Sequence, residues 1–163
     1  VDLGGIAKGY TSDRIMQVFA ENGVTSGIVS LGGNVQALGC KPDGSKWRVA
    51  VQDPNDEGEN FAVVEIAEEA VITSGGYQRY FEEDGATYHH IIDPRTGYPA
   101  DSGVISSTII SHDGTLADGL IRRNSLRFCW IRMVRCTSPR ASRTAARCSR
   151  IGKCRLFTKS KYI

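Results

Sequence analysis

Apolar positions along the first 120 residues recur at two spacings. Ile15, Val18 and Phe19 fall at i, i+3 and i+4, which predicts a helix running to about Asn22 with Gly23 as its C-terminal stop. Residues 27–31 form a short apolar run, read as a buried strand that ends at Gly32-Gly33-Asn34. Residues 47–51 alternate Trp, Arg, Val, Ala, Val, a strand entered from the turn Pro42-Asp43-Gly44. A loop is expected over 53–58, then strands at 61–66 and 71–73 joined by a short acidic turn. Residues 77–81 and 88–92 flank Glu83-Asp84-Gly85 and read as a hairpin, followed by a turn at 93–97. Residues 104–111 give a further strand, stopped by Asp113-Gly114. A second helix starts near Thr115-Leu116-Ala117-Asp118, with Thr115 as its expected N-cap. The pattern predicts an α+β fold: a mixed, largely antiparallel sheet with packed helices. No internal repeat or low-complexity segment precedes residue 120.

Charge divides the chain. All 18 Asp and Glu lie in residues 1–120, against 7 Lys and Arg, a balance of −11; residues 121–163 carry the other 13 Lys and Arg. The overall net charge of +2 therefore averages two unlike pieces. Four of the five cysteines are in the basic part, and no C-x-x-C pair occurs, which argues against a zinc ribbon, a thioredoxin-type site or a disulfide framework. No apolar run is long enough to encode a transmembrane helix, and no signal peptide is visible. Because the chain opens at Val1 inside a motif, a preceding segment is expected to be missing.

Five short motifs carry the candidate chemistry. Asp2-Leu3-Gly4-Gly5-Ile6-Ala7-Lys8-Gly9-Tyr10 is a glycine turn opening a helix, where free N–H groups, the helix dipole and Lys8 suit a phosphate. It is neither G-x-G-x-x-G nor a Walker loop, and a plain strand-to-helix connection would look the same. Ser30-Leu31-Gly32-Gly33-Asn34 ends a strand either against a ligand or in a bulge. Thr73-Ser74-Gly75-Gly76-Tyr77 suits a flat ring or a phosphate, and equally a turn with a core tyrosine. In His89-His90-Ile91-Ile92-Asp93-Pro94-Arg95-Thr96-Gly97, neighbouring histidines on a strand point to opposite faces, so one at most enters a given site; a histidine there suits proton transfer or a purely structural role. Asp118 at a helix start is favoured by the dipole alone and is also a hard-oxygen ligand suited to Mg²⁺.

The order and spacing of these motifs resemble the FAD:protein FMN transferase family, also called ApbE. The likeness covers residues 1–120, the C-terminal half or so of a full member, and is most specific from His90 to Gly97. It implies a Mg²⁺-dependent enzyme that transfers FMN from FAD to a Ser or Thr hydroxyl of a target protein, typically a subunit of a membrane redox complex, with release of AMP. Such a transfer asks mainly for positioning and charge neutralisation. By resemblance, Asp2, Gly4, Lys8, Gly32, Gly33, Ser74 and Gly75 would contact FAD. The Gly5 carbonyl and Asp118 would ligate Mg²⁺, and His90 would act as base or acid at the attacking hydroxyl. The bacterial cell envelope is the expected location, and no nucleic-acid partner is expected. A flavin carrier without turnover is the runner-up, and a basic surface-binding protein acting through the tail is the third reading.

The chain departs from the family in two ways. The N-terminal portion that would contact the adenine and flavin rings is absent. The family also places a metal-binding Thr four residues after the aspartate, where this chain has Arg122. From Ile121-Arg122-Arg123-Asn124 onward the sequence is rich in Arg, Ser and Cys and free of acid. Residues 121–163 are therefore expected to be a frameshifted or disordered tail appended to a domain at 1–120. A genuine basic tail for nucleic acid or anionic lipid is the competing reading.

Overall fold

The computed structural model describes residues 3–77 and 79–121, with the backbone alone of residues 132–137 and 154–158. Helix α1 (Ala7–Glu21) is followed by strands β1 (Gly27–Ser30), β2 (Asn34–Leu38), β3 (Trp47–Asp53), β4 (Asp56–Ile66), β5 (Ala70–Gly75), β6 (Tyr80–Glu83), β7 (Ala86–His89) and β8 (Val104–Ser111). Helix α2 (Gly114–Ile121) and strands β9 (Arg132–Thr137) and β10 (Cys154–Thr158) complete the set. Six strands form one sheet in the order β1-β2-β5-β8-β9-β10, every neighbouring pair antiparallel. β3–β4 and β6–β7 are separate hairpins. The α+β architecture predicted from the sequence is the one observed.

The side-chain period of two along β5 and β8 sorts their residues into two cores. Val71 and Ile110 face the β3–β4 hairpin and pack with Ala37, Val49, Val51 and Ile66. Ala70, Ile72 and Ile109 face the opposite way, onto Ala117 and Ile121 of α2. The large sheet is therefore the middle layer, with a hairpin on one face and the two helices on the other. Ile66, Ile72 and Ile109 are fully buried, and each isoleucine so removed from water contributes about 1.5–3 kcal/mol.

Several elements differ from the sequence reading. The expected loop at 53–58 is a tight turn, because β3 runs to Asp53 and β4 already begins at Asp56. The Asp53 carboxylate accepts the Asn55 N–H at 2.8 Å and closes that turn. Strand β2 was not foreseen. Its Asn34 and Gln36 are buried although polar, so the usual apolar alternation is absent. Tyr77, Arg79 and residues 90–92 lie outside the β6–β7 hairpin, whose turn at Asp84-Gly85 has φ of 50° and 75°. Within the region expected to be a frameshifted or disordered tail, residues 132–137 and 154–158 are strands, and β9 extends the sheet from β8.

Candidate active site

Asp118 is set by contacts that begin far away in sequence. Helix α1 leaves its first-turn N–H groups without helical partners. Leu3 O takes the Ala7 N–H at 2.9 Å, and the Gly9 N–H instead reaches Asp118 Oδ2, also at 2.9 Å. A carboxylate is favoured at this positive end of the helix dipole. The approach is close because position 9 is glycine: a Cβ there would fall 2.7 Å from the Asp118 Cβ and would overlap the Gly114 carbonyl oxygen. Asn34 Nδ2 donates to the same Asp118 oxygen at 3.4 Å, and Asp118 is only 3% exposed.

A second carboxylate holds α2 in place. Asp13 on α1 accepts the Gly114 and Thr115 N–H groups at 3.0 and 2.7 Å, the Thr115 hydroxyl at 2.5 Å and Gln36 Nε2 at 2.8 Å. Burial pushes the Asp13 carboxyl up, but the hydrogen bonds from Thr115, Gln36 and Gly114 outweigh it and hold the group below its usual value. Thr115 is therefore not the N-cap of α2. Asp113 takes that part, its Oδ1 accepting the Leu116 N–H at 2.7 Å, while the Thr115 hydroxyl is spent on Asp13.

The glycine turns meet opposite Asp118. Gly32 and Gly33 have φ of 54° and 93°, a conformation other residues rarely adopt. Lys8 Nζ donates to the Gly32 carbonyl at 2.9 Å and ties the first helical turn to this glycine pair. The result is a cleft of about 440 Å³ whose walls include Gly4, Lys8, Gly32, Gly33, Ser74, Gly75, Arg79, His90 and Asp118. Two cations face one carboxylate and one imidazole, a balance that suits an anionic ligand.

Eight of the ten residues singled out from the sequence thus line one cleft: Gly4, Lys8, Gly32, Gly33, Ser74, Gly75, His90 and Asp118. Gly5 is half-buried in the turn before α1 and is not among the walls. Asp2 lies outside the described residues, as does Arg122. Sequence reasoning passed over Asn34, Gln36, Asp13 and Arg79. The available signal was two amides spaced i, i+2 directly after a glycine pair, which puts both on one face of a strand.

The two histidines go separate ways, although β7 ends at His89 and His90 lies just beyond the strand. His90 borders the Asp118 cleft, whereas His89 borders a second cavity of about 720 Å³ that also includes Glu57, Glu82 and Asp101. His89 Nδ1 accepts the Ile91 N–H at 3.3 Å, and its ring lies against Gly76, where a Cβ would be 2.7 Å from the ring. The two cavities share Ser74, Gly75 and Tyr77. Beyond His90 the chain is fastened by Asp93, which accepts the Arg95 N–H and Nε at 3.0 Å each and pairs with Arg95 Nη2 at 2.7 Å. The Arg95 hydrogen bonds lower the Asp93 carboxyl to about 2.

Hard-oxygen chemistry fits this donor set. Asp118 is the carboxylate on the cleft wall, its Oδ2 is occupied by two N–H donors, and its Oδ1 carries no hydrogen bond among the described residues. Among the described residues no group of three or more His, Cys, Asp or Glu gathers as a metal cage. Any divalent cation here would need backbone, ligand or water oxygens besides Asp118, the habit of Mg²⁺ rather than Zn²⁺.

The description "ApbE family" fits residues 1–123 as a family model. The chain belongs to the ApbE family. It is 43% identical over 129 residues to the FAD:protein FMN transferase of Treponema pallidum, covering 74% of this chain and 36% of that protein. It is 40% identical over 119 residues to one from Klebsiella pneumoniae, covering 72% and 36% respectively. The crystal structure of the ApbE protein from Thermotoga maritima superposes with a TM-score of 0.77 at 38% identity, over 84% of this chain and 48% of that one. The apo flavinyl transferase ApbE of Pseudomonas stutzeri gives 0.68 at 32% identity, over 85% and 46%. The chain therefore spans about a third of the length of these curated relatives and about half of the ApbE structures.

Proposed function

We propose that this ApbE segment carries the reacting centre of an FAD:protein FMN transferase. The observation that carries the reading is the meeting of Lys8, the Gly32–Gly33 turn, His90 and Asp118 in one cleft. The turns offer close backbone approach to a pyrophosphate, and Lys8 and Arg79 offset its charge. In the reaction, a Ser or Thr hydroxyl oxygen of the target protein bonds to the FMN-side phosphorus of FAD. The bond from that phosphorus to the bridging oxygen breaks, and AMP leaves with the bridging oxygen. The proton of the attacking hydroxyl passes to a ring nitrogen of His90. Asp118 would hold Mg²⁺, which when bound supplies positive charge to the phosphate oxygens. The target is a protein of a membrane redox complex in the cell envelope.

The test is FAD turnover by the purified chain with and without Mg²⁺, following AMP. Mg²⁺-dependent AMP release is expected, falling by a factor of about 10²–10⁴ in His90→Ala while FAD binding is largely kept. Unchanged turnover in that variant would remove His90 from the mechanism. FAD binding without AMP from the wild-type chain would make it a flavin carrier instead.

A further inference from the structure

Two amides of β2 face the helices, and each is only half used. Asn34, 1% exposed, donates Nδ2 to Asp118, and Gln36, 5% exposed, donates Nε2 to Asp13. In both, the carbonyl oxygen is buried without a hydrogen-bond partner. An unsatisfied buried acceptor is destabilising, and an apolar side chain of the same shape would avoid the cost. For Gln36 the return is structural, since its carboxylate partner anchors the start of α2. For Asn34 the partner is the carboxylate of the cleft. Turning the Asn34 amide over would set its oxygen against an Asp118 oxygen, so the donor must face Asp118 and the carbonyl must go unsatisfied.

We propose that Asn34 is a positioning residue. Its amide and the Gly9 N–H together occupy Asp118 Oδ2, fixing the carboxylate so that Oδ1 is the oxygen offered to a divalent cation. The inference rests on the reading of Asp118 as the metal-binding carboxylate. It deepens that reading by assigning a role to a side chain that is not itself a ligand. Outer partners of this kind commonly govern metal affinity by roughly 10- to 100-fold.

Asn34→Leu keeps the branched shape of the side chain while removing the donor to Asp118 together with the orphaned acceptor. Asn34→Ala serves as a smaller variant should leucine not fit. Mn²⁺ binding to the full chain is followed by electron paramagnetic resonance, alongside thermal unfolding, with Asp118→Ala as control. The expected result is Mn²⁺ affinity weakened by roughly 10- to 100-fold in the Asn34 variants, in protein that thermal unfolding shows to be folded. Wild-type affinity in either folded Asn34 variant, with binding lost in Asp118→Ala, would overturn the proposal and leave the Asp118 reading standing. Wild-type binding unaffected by Asp118→Ala, or no binding by the wild-type chain, would remove the metal reading and the proposal with it.

Discussion

A methyl group at position 9 has nowhere to go. It would overlap the Gly114 carbonyl and sit 2.7 Å from the Asp118 Cβ, so α1 and α2 would have to part before Gly9→Ala could fold. Overpacking of this kind costs about 1–3 kcal/mol. The expected outcome is a lower midpoint in chemical denaturation, accompanied by weaker Mn²⁺ binding, because the Gly9 N–H that holds Asp118 would move with the helix. A Gly9→Ala variant with wild-type stability would mean that the helices are not this close. Gly9 was visible in the sequence as part of a glycine-rich helix opening, but its partner lies 109 positions away. Nothing in local spacing names such a partner, and the same holds for Asn34 with Asp118.

At the scale of elements, the joint between α1 and α2 depends on Asp13. Its carboxyl is held below its ordinary value of 3.8 in the fold, so its contribution is present above about pH 4 and is lost as pH falls through the lowered value. Asp13→Asn is expected to flatten that acid limb of the stability curve. It should also lower stability at neutral pH by about 1 kcal/mol, as for a lost helix cap. Urea unfolding of both proteins between pH 3 and pH 7, a window set by the linkage argument, is the check; parallel curves would exclude Asp13 as the titrating anchor. Helix α1 and strand β8 were legible in the sequence from a 3.6-residue spacing ending at a glycine and an eight-residue run buried throughout its second half, although the residues α1 buries are Gly9, Ser12 and Met16 and Val18 is exposed. Strand β2 was not legible, since the burial of Asn34 and Gln36 inverts the rule that polar residues face water. Thr115 was misread as a cap for a related reason, its hydroxyl having a better acceptor on another helix.

Over the whole molecule, the charge break at residue 120 does not coincide with the edge of the sheet. β9 pairs with β8 from Val104 to Ile110, so the backbone of residues 132–137 completes a strand whose own second half is buried. Ending the chain after Ile121 would leave β8 as a bare, apolar edge, a site for pairing with other chains. The truncated form is expected to self-associate and to melt at a lower temperature, measured by size-exclusion chromatography and thermal unfolding. A monodisperse truncated protein with unchanged melting would show that residues 1–121 are sufficient. Composition revealed the unlike character of the last 43 residues, yet composition is blind to backbone hydrogen bonding, through which two of their segments join the sheet.

Ser74, Gly75 and Tyr77 form a wall common to the two cavities. An added Cβ at Gly75 would overlap the Tyr77 ring and lie 2.9 Å from the Ile105 carbonyl oxygen. Neither chamber can be reshaped there without disturbing its neighbour. A drifting sequence is thus obliged to alter both rooms together or to leave the wall untouched, and a chemist seeking to widen one of them would do better to begin at its far side.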